Sequence, residues 1–305
     1  MKYNNIKLKN PKISVHIPYF FDSKKKSQVK NFNKVCKSFL NISKNTKIFV
    51  HTNKKNKNKK NIKFISYKFK DDHPYKLTWY PRKLMEKQKN NFDIFIYCED
   101  DLLFTKKNFN YWLKYKDIFL KNNYNVGFVR VEVNKKDKHM YTADQVSKSK
   151  FFVEINSEKY LVISNPHCAF WIYDKNEFNE FVKTKFYKFE WKWITKSGIL
   201  LSREMASHGW YGTNMNGIDM NRYITTIIPF KKNNIHKDSL VRHLSDTYCN
   251  NPAGLFGTFK LNDIIDSELI KFKPINSYQR IIKRVKYLLY YYSRFNLKKY
   301  IKLFK

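Results

Sequence analysis

Between residues 12 and 133 the chain alternates between two hydrophobic periods. KISVHIPY (12–19), TKIFVHT (46–52), IKFISY (62–67), DIFIYCEDD (93–101) and NVGFVRVEV (125–133) are short runs rich in β-branched and aromatic residues. Segments of helical spacing separate them: 22–40, with Val29, Phe32, Val35, Cys36, Phe39 and Leu40, then 76–90 and 108–120. Strand runs alternating with helical runs predict an α/β fold, a mostly parallel Rossmann-like sheet with helices on both faces.

The remainder is less regular. Residues 159–165 and 169–174 read as a hairpin interrupted by Asn165-Pro166-His167, 176–187 as helix and 223–230 as a strand. Residues 196–222 mix glycines with polar groups. No internal repeat is visible. Acids vanish after residue 271, which divides the chain into a domain over 1–270, with halves at about 1–133 and 134–270, and a tail over 271–305.

Composition narrows the function classes. At 42% hydrophobic and 18% aromatic residues the chain has material for a core, which excludes a disordered polycation. The net charge of +36 admits a polyanionic partner, but only eight of the 61 basic residues are Arg. Lys, Asn, Ile, Phe and Tyr are abundant together, as in an AT-rich coding sequence, and no nucleic-acid motif is present. Nucleic acid is therefore not the expected partner. Cys36, Cys98, Cys168 and Cys249 fit neither a disulfide framework nor a zinc module, which implies a reducing, cytoplasmic setting. The N-terminal residues have no signal-peptide apolar stretch, and no apolar run is long enough to span a membrane.

The most informative segment is Glu99-Asp100-Asp101, three consecutive carboxylates at the end of a buried strand. Adjacent anions need a counter-charge, and a divalent cation is the simplest one. The carboxyl ends of parallel strands are where open α/β sheets bind ligands. The other reading of these acids is a cap for the following helix.

This motif resembles the DXD motif of GT-A glycosyltransferases, enzymes that use nucleotide-sugars and a metal. Other segments resemble that family in order: residues 15–19, 49–53, 73–83, 165–171 and 241–246. The resemblance spans roughly residues 12–260. It implies that Pro18, Tyr19, His51, Asn53 and Arg82 line the nucleotide. Glu99 would face the ribose or sugar, or the metal through water, Asp100 would orient the donor, and Asp101 and His243 would hold Mn2+ or Mg2+. Many members have Asp where Glu99 stands. The donor would be a UDP- or GDP-sugar, and the acceptor a glycan or a lipid-linked molecule.

Glycosyl transfer also needs a neutralised diphosphate and, for inversion, a general base. Glu204 and Asp219 are the candidates; the other reading of Arg203-Glu204 is a surface helix, and of Asp219 a turn cap. Trp210-Tyr211, between two glycines, is the aromatic pair expected to be exposed near the acceptor. The tail carries eleven Lys or Arg and no acid, with Ile281, Ile282, Val285, Leu288 and Leu289 at helical spacing. It reads as an amphipathic helix on an anionic membrane surface, or as a helix packed on the domain with a solvated lysine face. Two rival functions stand beside the enzyme: nucleic-acid binding or nucleotidyl transfer, with Glu132 as a second acidic site, and a non-catalytic nucleotide-binding protein on the same fold.

Overall fold

The computed structural model describes residues 10–22, 24, 26–69, 74–188, 199–210, 225–251, 254, 256–273, 282 and 285. In chain order the first elements are β1 (Ile13–Tyr19), α1 (Lys26–Leu40), β2 (Thr46–Thr52), β3 (Ile62–Ser66), a 3-10 turn (Pro74–Thr78), α2 (Pro81–Lys87), β4 (Ile94–Cys98), β5 (Leu102–Leu103), α3 (Lys106–Lys121), β6 (Asn125–Val126) and β7 (Val129–Val133). There follow β8 (Met140–Thr142), β9 (Ser149–Ile155), β10 (Glu158–Val162), β11 (Phe170–Asp174), α4 (Lys175–Val182), α5 (Ile199–Ala206), β12 (Thr226–Lys231), β13 (Asn234–Ile235), β14 (Leu240–His243), α6 (Thr247–Asn250), β15 (Phe259–Lys260) and β16 (Ile265–Lys271).

The central sheet runs β11-β4-β1-β2-β3. β1 is parallel to β2 and β4, β2 is parallel to β3, and only β11 is antiparallel. Successive strand residues point to opposite faces. Val15, Ile17, Ile94 and Ile96 enter one core with Phe32, Val35 and Phe39 of α1 and Phe109 and Trp112 of α3. Phe49, Phe95 and Tyr97 enter a second core with Met85 of α2 and Phe178 and Phe181 of α4. Helices thus cover both faces, as the alternating pattern predicts.

Two further sheets accompany it, β13-β12-β10-β9-β16 with β6 beside β12, and β15-β8-β7-β14-β5. Here the sequence reading needs correction. The run 159–165 and the run 169–174 do not form a hairpin: β10 pairs with β9 and β12, whereas β11 joins β4 in the central sheet. The run 125–133 is two strands in two sheets, broken at Gly127. A Cβ there would lie 2.5 Å from Ile228 Cγ1 and 2.9 Å from the Ile227 carbonyl, so only glycine lets β6 approach β12 this closely. β16, an unforeseen strand, runs parallel to β9, and the Phe272 amide donates to the Phe152 carbonyl at 2.7 Å. The chain therefore stays attached through Phe272, past the break at 271. Residues of the tail beyond 273, apart from 282 and 285, lie outside the described residues.

Candidate active site

β4 ends at Cys98, and the acidic turn begins where its pairing with β11 stops. The Glu99 amide donates to the Ala169 carbonyl at 3.2 Å, and the Leu244 amide donates to the Asp101 carbonyl at 2.8 Å. Immediately afterwards Leu102 of β5 pairs with His243 of β14. This short antiparallel ladder brings together two residues 142 positions apart in sequence. Asp101 Oδ2 and His243 Nε2 lie 3.1 Å apart.

Behind the imidazole stands Glu132 of β7, fully buried, whose Oε1 is 2.5 Å from His243 Nδ1. Its Oε2 accepts from the Cys249 amide at 2.6 Å. Burial disfavours the charged ring, but hydrogen bonds to Asp101 and Glu132 outweigh it and push His243 up to about 9. Asp101 is held below the usual carboxylate range: burial opposes this, and the His243 and Arg130 charges overcome it. A carboxylate behind an imidazole is the arrangement that orients metal-ligating histidines. Asp101 and His243 together are an oxygen–nitrogen donor pair suited to a divalent cation, which would replace the proton they share. The donor set therefore fits a metal.

Glu99 and Asp101 face the same interior cation. Arg130 Nη1 is 3.9 Å from Glu99 Oε2, and Asp144 fixes the guanidinium, with Nε to Oδ2 at 2.8 Å and Nη2 to Oδ1 at 2.5 Å. Asp144 Oδ1 is also 2.9 Å from His167 Nδ1, and His167 Nε2 is 3.2 Å from Ser207 Oγ. This chain runs from the acidic turn to the end of α5. Burial raises the Glu99 pKa, and Arg130 counters it. Arg203 of α5 adds to this positive field, its guanidinium 5.3 Å from the Tyr75 ring.

Other expected site residues take different places. Asp100 accepts from Gln28 of α1 at 3.0 Å; burial and the Asp101 charge push it up to about 7. Pro18 and Tyr19 are buried in β1, with the Tyr19 ring stacked 4.3 Å from Phe32. His51 is fully buried in a hydrogen-bonded row, 2.9 Å from His16 and 2.8 Å from the Tyr67 hydroxyl. Arg82 does not face a nucleotide. Its guanidinium lies 4.1 Å from the Trp79 ring and donates to the carbonyls of Phe186, Tyr187 and Ala206 at 2.7, 3.1 and 3.3 Å. These four residues are frame because strand interiors and aromatic walls surround them. Asn53, half-buried just after β2, clamps both backbone groups of Phe21.

Glu204 is partly buried on α5, and its carbonyl accepts from Ser207. Arg203 and Ser207, four apart, share a helix face, and Glu204 lies about 100° round from it. Trp210 is not an exposed platform: it is 6% exposed and packs 5.3 Å from Phe181. Asp219 and Tyr211 lie outside the described residues.

Glu132, the candidate for a second acidic site, has ligand atoms within 4.8 Å of those of Asp246 and Cys249, a grouping that could hold a metal ion. Both of its oxygens are engaged, and those of Asp246 hold the Val133 amide and Arg242. Arg130 and Asp144 carry no motif in the sequence. A signal existed only as a charged residue in each of two apolar surroundings, GFVRVEV and YTADQV.

The chain matches no protein-family description and no curated protein. Solved structures do resemble it. S. aureus TarS, residues 1–349, is 13% identical with a TM-score of 0.38, over 78% of this chain and 62% of that one. The chain thus spans less than two thirds of that structure's length. A CMP:2-keto-3-deoxy-manno-octonic acid synthetase complexed with CTP is 12% identical (TM-score 0.35, 70% of this chain and 88% of that one). An active-site mutant of LgtC is 10% identical (TM-score 0.31, 70% and 72%). Likeness this distant carries no chemistry, which has to be read from the atoms of the site.

Proposed function

We propose that the chain is a metal-dependent glycosyltransferase that moves a sugar from a UDP- or GDP-sugar to a glycan or lipid-linked acceptor. The observation that carries this reading is the Asp101–His243 pair, backed by Glu132, at the carboxyl end of a central parallel strand. It agrees with the GT-A resemblance, in which those two positions hold the metal. When bound, the ion would neutralise the leaving diphosphate.

The remaining work falls to the chain. Glu132 holds the His243 ring so that Nε2 faces Asp101. Arg203, whose charge acts on Glu99, is the proposed positive charge for the diphosphate. Glu204 is the proposed base for the acceptor hydroxyl, with Asp219 its alternative. Nucleotidyl transfer would need a further free carboxylate cluster, and Glu132 is already engaged behind the histidine.

A thermal-shift panel of UDP-, GDP- and CMP-sugars with and without Mn2+ tests this. A donor-specific stabilisation that needs the metal and is lost in Asp101→Ala supports it. Metal-stimulated stabilisation that survives in Asp101→Ala overturns it.

A further inference from the structure

Arg82 is 5% exposed and Tyr97 fully buried, and each carries a polar atom that the fold leaves unused. Nη1 of Arg82 donates to the Phe186 and Tyr187 carbonyls, and Nη2 to the Ala206 carbonyl. Arg82 Nε and Tyr97 Oη have no hydrogen-bond partner. The guanidinium also lacks a counter-ion. Its neighbours are the rings of Trp79, Phe186, Tyr187 and Phe181, 4.1, 4.9, 5.3 and 5.9 Å from its central carbon. Burial pulls the Arg82 pKa down to about 10, and the groups that oppose this are Tyr187, Tyr97 and Tyr173, with no carboxylate among the described residues. A buried charge without a counter-ion, beside two unmade hydrogen bonds, is costly in a native core.

The two unused atoms belong to one neighbourhood. In the planar guanidinium, Nε–H and one Nη2–H point along the same edge. Nη2 reaches the Ala206 carbonyl, which also accepts from Trp171 Nε1 at 3.4 Å. Tyr97 stacks on the Trp171 ring at 5.8 Å, and Arg82 and Tyr97 act on each other's ionisation. Both atoms are donors. Guanidinium only donates, and burial keeps the Tyr97 hydroxyl protonated. An anion accepts from both and supplies the missing counter-charge, whereas a water supplies hydrogen bonds alone. Among the charges that act on Tyr97, Glu99 is outnumbered by Arg82 and Arg203. Rings this close favour an anion of a single atom over a carboxylate or a phosphate.

We infer that Arg82 and Tyr97 form a buried chloride site between α2, β4 and the end of α5. Tyr97 lies two positions before Glu99, and Ala206 three after Arg203, so the anion ties α5 to the strand that carries the acidic turn. The site is separate from the Asp101–His243 pair and stands whether or not the glycosyltransferase reading holds.

The test is thermal unfolding of the whole chain in sodium gluconate, with chloride substituted stepwise at constant ionic strength. The wild-type Tm should rise saturably, by about 3 °C at ten times the chloride Kd. The lysine-rich surface attracts chloride as well, so a variant that keeps that surface decides. Tyr97→Phe removes one donor and should need about 10-fold more chloride for the same rise. Arg82→Met should lose the saturable rise. It also leaves three carbonyls unpaired, and where it does not fold Tyr97→Phe carries the test. Crystals grown in bromide should show an anomalous peak beside Arg82 Nε and Tyr97 Oη.

A wild-type Tm that does not respond saturably to chloride, as for a buried water only, overturns the inference. So do equal chloride responses in the wild type and Tyr97→Phe, and a bromide peak found only elsewhere.

Discussion

Single residues decide this site through the partners that distant strands bring them. His243 is an ordinary loop-end histidine in sequence. In the fold it bridges Asp101 and Glu132, and removing the rear partner should loosen the front one. Glu132→Gln is expected to weaken Mn2+ affinity by about 10–100-fold while the secondary structure, followed by circular dichroism, stays intact. In the sequence Asp101 stood out because an acid run is conspicuous, and His243 because its segment, 241–246, resembles the loop of GT-A glycosyltransferases that completes the metal shell. The sequence did not single out Arg130 or Asp144, because one arginine among 61 basic residues and one aspartate in a loop carry no period or spacing. Their pairing is created by burial. Arg82 shows the reverse: it stood in a suggestive segment, but an aromatic wall and three carbonyls hold it as a brace.

At the scale of elements, buried polar contacts join neighbouring segments and make their stability depend on pH. His16 and His51 on β1 and β2 are kept neutral by burial, His16 well below its usual value and His51 down to about 3. A depressed histidine contributes stability that is complete above about pH 6.5 and falls as acid protonates the unfolded chain, by about 1.4 kcal/mol per pH unit for each ring. His243, raised to about 9, acts in the opposite sense: its contribution is complete below about pH 6.5 and is lost as the pH climbs through 9. Stability should therefore peak near neutrality. Denaturant titrations across pH 5–9 check this, and His51→Asn should flatten the acid limb only.

α3 is tied to the central sheet by Lys116, whose Nζ is 2.9 Å from Asp174 at the start of α4. Lys116→Met leaves that buried carboxylate with its backbone cap alone, and should cost about 3–5 kcal/mol in urea unfolding. Gly127→Ala should cost about 1–3 kcal/mol, because β6 cannot withdraw from Ile228 without leaving β12.

Across the whole molecule, charge is distributed unevenly. Lysines dominate the surface, yet the candidate site collects Glu99, Asp101, Glu132 and Asp144 around Arg130 and His243. No helix among the described residues is long and apolar enough to cross a membrane. Membrane contact is one of the two readings that the sequence leaves open for the acid-free tail. Truncation after residue 273, which spares β16 and Phe272, should abolish binding to anionic liposomes and leave donor binding unchanged; retained binding would sink that role. By itself the sequence determined β1 to β4 and the helices between them, because alternating strand and helix periods are local signals that burial on two faces only strengthens. It also determined that the acids lie at the end of a strand, since an apolar run that stops at three carboxylates must surface there. Tertiary structure alone decided which cations meet those acids, why residues 125–133 break at Gly127, and where β10 and β11 part. Those outcomes depend on pairing between segments distant in sequence, such as β4 with β11, β6 with β12 and β5 with β14, and no local period records which distant strand will supply the partner.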